Sequence, residues 1–165
     1  MVSRTFEDII IRQAITGESA EITALLSDAF EPYKTYYTEQ AYTATVSSPQ
    51  VIEDRIGTPE SEVLVALYKC KIVGTVSILI LEGEELYLSS MAVAPLFQGT
   101  GIGRCLVREI ERVAKENHAS IISLECFKPL TKAVAFYEHC GFKKTGRTRG
   151  YHGITVFEMT KKIRF

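Results

Sequence analysis

The sequence predicts a single domain built on a mixed α/β sheet of six to seven mostly antiparallel strands, with helices on both faces. Three observations carry this. The β-branched and aromatic runs Val63 to Tyr68, Ile72 to Leu81 and Glu85 to Val93 are split only by short polar breaks, the pattern of consecutive antiparallel hairpins. From Gly103 the apolar period becomes helical, with Leu106, Val107, Ile110, Val113 and Ala114 on one side. Another strand, Ile121 to Cys126, follows, and strand, helix, strand with so long a helix implies a parallel pairing and a right-handed crossover.

The remaining elements follow in chain order. Ile9 to Gln13 reads as a short first strand. Thr16 is placed to cap a helix from about Glu18 to Phe30, whose Ile22, Leu25, Leu26 and Ala29 share one face. An aromatic-rich loop and second helix come next, containing Tyr33, Tyr36, Tyr37 and Tyr42, while the segment between Pro49 and Pro59 has no clear assignment. On the helix after Gly103, Glu111 and Lys115 have the spacing of a surface ion pair. A last helix runs from about Thr131 to Cys140, ending at Gly141 where a left-handed cap is wanted, with Phe142 free to pack back onto it. Phe142 to Arg149 and Ile154 to Lys161 form a closing hairpin around Gly150 to Gly153.

Composition narrows the function classes. A chain of 165 residues can bury a substantial core without covalent staples. Its net charge of -1 argues against a nucleic-acid partner, which favours a basic excess. No apolar run approaches the roughly 20 residues needed to cross a bilayer, and Met1 to Asp8 lacks the pattern of an export signal, so the expectation is a cytoplasmic protein with no membrane partner. The four cysteines have no metal-type spacing and read as free thiols, and no metal site is expected.

The chemistry concentrates in the turn Gln98-Gly99-Thr100-Gly101-Ile102-Gly103-Arg104. Glycines at alternate positions leave backbone N–H groups uncovered, and the turn opens a helix, where unpaired donors and the helix dipole favour an anion. A P-loop would need Lys-Ser/Thr after Gly103, where Arg104 and Cys105 stand. A dinucleotide fingerprint would need glycine at Arg104 and an alternating strand–helix array before it. Both nucleotide readings fail, and the turn remains a diphosphate cradle or a tight strand-to-helix connection.

The segment Met91 to Gly103, with Gln98, Gly101 and Gly103 at the positions of a Gln/Arg-x-x-Gly-x-Gly/Ala pattern, resembles the signature of the GNAT superfamily of N-acetyltransferases. Ala133-x-x-Phe136-Tyr137-x-x-x-Gly141-Phe142 resembles that superfamily's second motif. The resemblance implies that two central parallel strands splay apart around acetyl-CoA. The backbone of Met91, Ala92 and Val93 would bind the pantetheine arm and polarise the thioester carbonyl. The turn Gln98, Gly99, Thr100, Gly101, Ile102, Gly103 and Arg104 would hold the pyrophosphate, with Ala133 and Phe136 also against the cofactor.

Tyr137 matches the family position that protonates the departing thiolate, a reasonable task for a phenol of pKa about 10 beside a thiol of about 8.5. An alkyl amine is mostly protonated at neutral pH, so a proton must leave before attack. Glu85 is the candidate base, since the period of two puts it on the face of Tyr87, Ser89 and Met91; Tyr87 or a water is the alternative, as is a plain strand-end charge. Leu130 stands where many family members carry an asparagine that contacts the cofactor.

The resemblance implies direct attack by a primary amine of a small molecule or peptide, in a ternary complex. A sensor that binds acetyl-CoA without turnover, and an enzyme acting on protein lysines or N-termini, stay open beside it. The acceptor pocket would draw on Phe30, Tyr33, Tyr36, Tyr87 and Tyr151, either as walls of an amine site or as ordinary core. Arg147 and Arg149 offer either carboxylate recognition or exposed strand charge. Because dimers are common in the family, a homodimer is a further expectation.

Overall fold

The structure is a computed structural model and describes residues 8–165. The segment Met1 to Asp8, read above as lacking an export signal, therefore lies almost wholly outside the described residues. The chain runs β1 (Ile10–Gln13), α1 (Ser19–Phe30), α2 (Glu39–Val46), α3 (Pro49–Ile56), β2 (Ser61–Tyr68), β3 (Lys71–Leu81), β4 (Glu85–Val93), α4 (Ile102–Glu116), β5 (Ile121–Phe127), α5 (Thr131–His139), β6 (Lys143–Tyr151) and β7 (Ile154–Lys162). Short 3₁₀ turns occupy Glu31–Tyr36 and Pro95–Phe97.

One seven-stranded sheet has the order β1-β2-β3-β4-β5-β7-β6. Every neighbouring pair is antiparallel except β4 and β5, as the crossover through α4 requires. Its hairpins use residues at positive φ in two-residue turns: Lys69 and Cys70 between β2 and β3, His152 and Gly153 between β6 and β7. The latter turn is tighter than the sequence suggested, because β6 continues to Tyr151.

The sheet separates two apolar layers. On one side α4 and α5 cover Leu64, Val76, Ile78, Leu86, Leu88, Ile122 and Leu124. On the other α1 and α3 cover Val63, Val65, Ile72 and Ala92 through Ile22, Leu25, Leu26 and Ile52. The unassigned Pro49 segment is thus a helix, capped by the Ser48 hydroxyl, which accepts from the Val51 N–H at 3.3 Å.

Two local expectations change. Thr16 does not cap α1: Glu18 takes the N-cap position, its carboxylate accepting from the Ile15 N–H at 2.9 Å and pairing with Arg12. Glu111 does not pair with Lys115 but reaches Lys161 on β7, a tertiary partner that sequence spacing does not reveal.

A β-bulge in β4 shapes everything downstream. Ser77 faces Ser89 and Thr75 faces Ala92, so Ser90 and Met91 together oppose Val76. Ser90 adopts φ +49, a conformation that costs a non-glycine residue about 1–2 kcal/mol. The extra residue reverses the alternation: Leu86 and Leu88 belong to the α4/α5 side, but so then do Met91 and Val93, while Ala92 turns to the α1/α3 side. The period-two expectation that Glu85, Tyr87, Ser89 and Met91 share a face fails for this reason.

Candidate functional site

β4 and β5 are paired from Glu85 opposite Ile121 to Leu88 opposite Leu124, and no further. Beyond Leu88 the bulge turns β4 away, and two cavities open along the parted strands. The larger, about 670 Å³, is lined by the β4 end (Met91, Ala92, Val93), the turn (Gln98, Gly99, Gly101, Gly103, Arg104) and α5 (Lys132, Ala133, Phe136, Tyr137). The smaller, about 180 Å³, lies on the side of Tyr37, Arg55, Tyr87, Glu125, Arg149 and Tyr151. Phe30, Met91, Leu130, Ala133 and Tyr137 line both, so they form the junction between the two spaces.

The glycine turn is built for backbone exposure. Gly99 and Gly101 have φ +77 and +96, and a Cβ on either would meet nothing within 4 Å. They are required by dihedral and not by crowding. Gly103 differs: its missing Cβ would stand 2.9 Å from Phe136 Cζ, so glycine there admits the α5 aromatic against the first turn of α4. Cys105 is the first α4 residue to bond back, its N–H reaching the Gly101 carbonyl at 3.1 Å. The N–H groups of Ile102, Gly103 and Arg104 are left as donors at the helix start. With Arg104 and Lys132 at the same cavity, the donor set suits a phosphate-bearing ligand. The Gln98 amide instead donates back to the Val93 carbonyl at 3.1 Å, and the Thr100 hydroxyl to the Phe97 carbonyl, so both side chains brace the turn.

Tyr137 is the only tyrosine lining both cavities. Its ring is wedged between Phe136 and Phe142, at centroid distances of 5.4 and 5.6 Å, and is 9% exposed. Burial, with the nearby Cys126 and Cys140 thiols adding to it, pushes the phenol far above the ordinary tyrosine value. It is held protonated. Cys126 is itself buried and its thiol is pushed up to about 12, which leaves it an inert neighbour.

The smaller cavity contains a linked polar group. Tyr87 donates to Glu125 Oε1 at 2.9 Å, and Arg149 grips both carboxylate oxygens, at 2.5 and 2.6 Å. Burial opposes ionisation of Glu125, but the hydrogen bonds from Arg149 and Tyr87 outweigh it and hold the carboxyl below its usual range. Tyr87 is driven the other way, by burial first and then by Glu125. Tyr37 packs its ring 4.9 Å from that of Phe127, and Thr38 donates to the His152 carbonyl at 2.5 Å, so α2 and the β6–β7 turn close together over this cavity.

Most of the expected residues therefore converge, and some do not. Phe30, Tyr87 and Tyr151 line the smaller cavity, whereas Tyr33 lines the larger one. Tyr36, one 3₁₀ turn further on, is 58% exposed and lines neither. Glu85 also lines neither: it sits at the closed end of the β4–β5 pair and accepts from the Ser123 hydroxyl. Six residue steps of strand separate it from Met91, about 20 Å. Arg149 serves Glu125, and Arg147 is exposed. The polar residues that sequence reasoning missed are Glu125, Arg55 and Lys132. Glu125 is the lone charged residue on β5, and Arg55 and Lys132 are the lone Lys or Arg on α3 and α5, each meaningful only once β4 and β5 are seen to part.

Residues 21–142 match the Acetyltransferase (GNAT) family. Solved structures share the whole architecture. The PaiA N-acetyltransferase of Thermoplasma acidophilum, crystallised with coenzyme A, superposes with a TM-score of 0.79 at 19% identity, covering 94% of this chain and 99% of that one. An acetyltransferase of Streptococcus agalactiae gives 0.80 at 18% identity over 96% and 100%. The ribosomal-protein-S18-alanine N-acetyltransferase of Escherichia coli gives 0.75 at 17% over 95% of each chain.

Proposed function

The chain belongs to the GNAT family of acetyltransferases, and from that premise we propose that it transfers an acetyl group from acetyl-CoA to a primary amine of a small molecule or peptide, by direct attack in a ternary complex. The observation that carries this reading is the junction: two cavities of different character meet at Tyr137 and Met91. One offers the backbone donors of the glycine turn with Arg104 and Lys132, the other aromatic walls with Glu125, Arg149 and Arg55.

Acetyl-CoA is the family's acyl donor, and here it would lie along β4 with its phosphates at the α4 N-terminus; when bound it supplies an activated thioester. The parted strand leaves β4 backbone groups free to hold the pantetheine and to orient the acetyl carbonyl. Tyr137 holds a proton at its phenol oxygen, at the junction where the thiolate would depart, and burial keeps that proton in place. The acceptor amine enters from the smaller cavity and gives up its proton to water held by the Tyr87–Glu125 pair. In this reading Glu85 takes no part.

Release of free thiol from acetyl-CoA, measured against a panel of amines, tests the proposal. Amine-dependent release that collapses in Tyr137→Phe supports it. Tight acetyl-CoA binding without release from any amine would instead make the chain a sensor.

A further inference from the structure

Arg55 ends α3 and stands, half-buried, in the wall of the smaller cavity. Its Nη1 donates to Ser90 Oγ at 3.0 Å and Ser77 Oγ at 3.1 Å. Among the described residues no carboxylate pairs with it. The cavity's other guanidinium, Arg149, is already matched by Glu125. Both serine bonds come from one nitrogen, so Nη2 and Nε remain for a ligand. Burial works against the charge, drawing the pKa down, yet a guanidinium stays charged under all ordinary conditions. A cation withdrawn from water without a counter-ion is unfavourable, and an arriving anion relieves it.

We infer that the acceptor is a small amine that also bears a carboxylate, and that Arg55 receives that carboxylate. This rests on the acetyl-transfer reading above and narrows its acceptor. The cavity, at about 180 Å³, has the volume of about six water molecules, which suits an amino-acid-sized molecule and not a folded protein surface. One planar guanidinium fork matches one carboxylate. A phosphate would call for more cations, and the remaining ones nearby, Arg104 and Lys132, line the other cavity. The aromatic walls, Phe30, Tyr37 and Tyr151, are available to the rest of the acceptor.

Arg55 also steadies Ser90 in the bulge, so a general loss of activity in a variant would say little. The test is a ratio. Thiol release is measured for paired acceptors, phenylalanine and phenethylamine, leucine and isoamylamine, glutamate and γ-aminobutyrate, with phosphoethanolamine added as a phosphate probe. Each pair differs by the α-carboxylate alone, but phenethylamine and isoamylamine bear no carboxylate whereas γ-aminobutyrate keeps one at its far end. In the native enzyme kcat/KM favours the carboxylate-bearing member of the first two pairs by about 100-fold. Arg55→Gln brings that ratio to near one, and Arg55→Lys restores part of it.

Equal losses on both members would make Arg55 a support for the bulge only, and would overturn the inference. So would a native preference for the amine without a carboxylate, or for phosphoethanolamine. If no amine releases thiol, the transfer reading falls instead. Calorimetric titration of phenylalanine and phenethylamine into protein saturated with coenzyme A then judges Arg55 separately. Binding of phenylalanine alone, lost in Arg55→Gln, upholds it, and any other pattern overturns it.

Discussion

Phe136 approaches the first turn of α4 so closely that a Cβ on Gly103 would lie 2.9 Å from its Cζ. The atom that must yield is the far end of a side chain that borders the larger cavity. In Gly103→Ala the ring is therefore expected to swing into that cavity. Helix propensity gains up to about 1 kcal/mol, which offsets much of the repacking. The expected outcome is a melting temperature within about 4 °C of the parent and an acetyl-CoA affinity lowered about tenfold. Calorimetry and thermal melts read the two separately, and a large drop in stability with unchanged affinity would refute this account.

Gly101 raises the opposite case, since its Cβ would meet open space and only the dihedral resists substitution. Gly101→Ala carries the backbone strain of φ +96, about 1–2 kcal/mol. Gly101→Glu carries the same strain and adds a negative charge where the phosphates are proposed to lie. The glutamate variant should keep its far-UV circular dichroism and lose at least 100-fold in acetyl-CoA affinity beyond the alanine variant. Equal affinities in the two variants would remove the turn from the phosphate site.

For Tyr137→Phe the expectation is a 10²- to 10³-fold fall in kcat with the KM for acetyl-CoA little changed, because the ring still fills its place between Phe136 and Phe142. Since burial holds the phenol protonated well above the ordinary value, the native rate should not decline as pH passes through the usual tyrosine range near 10. A pH–kcat profile carried to about pH 11 checks this.

Glu125 makes a separate prediction about stability. Its folded-state pKa lies below the unfolded value, so its stabilising effect is present above that unfolded value, about 4.3, and is lost as pH falls through the folded one. The stability gap between the native protein and Glu125→Gln should be full at pH 7 and should narrow as pH falls below about 4.3. Denaturant titrations at pH 7 and pH 3.5 measure it. In turnover assays Glu125→Gln should slow acetyl transfer, whereas Glu85→Gln should stay within twofold of native.

Much of this architecture is legible in the sequence because it depends on local pattern. The polar breaks at Lys69-Cys70-Lys71 and Glu82-Gly83-Glu84 mark real turns, and the helical period after Gly103 marks α4. Gly141 adopts φ +95 where the cap was expected, and Phe142 packs on Tyr137. What escaped depends on events that leave little local trace. The bulge at Ser90 shifts one residue, and that alone separates Met91 from the face of Glu85 and Tyr87. Glu125 acquires meaning from Arg149, 24 residues away on a strand that pairs later, and Arg55 from serines on two other strands. Helix α3 hid between two prolines because its one fully buried contact, Ile52, gives no period to read.

A strand that loses its partner halfway becomes an edge in the middle of a sheet. Exposed edges invite other chains to add to them, which is why proteins usually keep them short or blunt them with charge. Here β4 beyond Leu88 shares one cavity with α5 and the glycine turn, and the proposed reading seats a slender, amide-bearing molecule there. In that reading, the unmet hydrogen-bonding capacity that elsewhere would be an aggregation hazard is reserved for a guest that behaves as a temporary strand. The free protein leaves its sheet unfinished, and the proposed visitor would complete it.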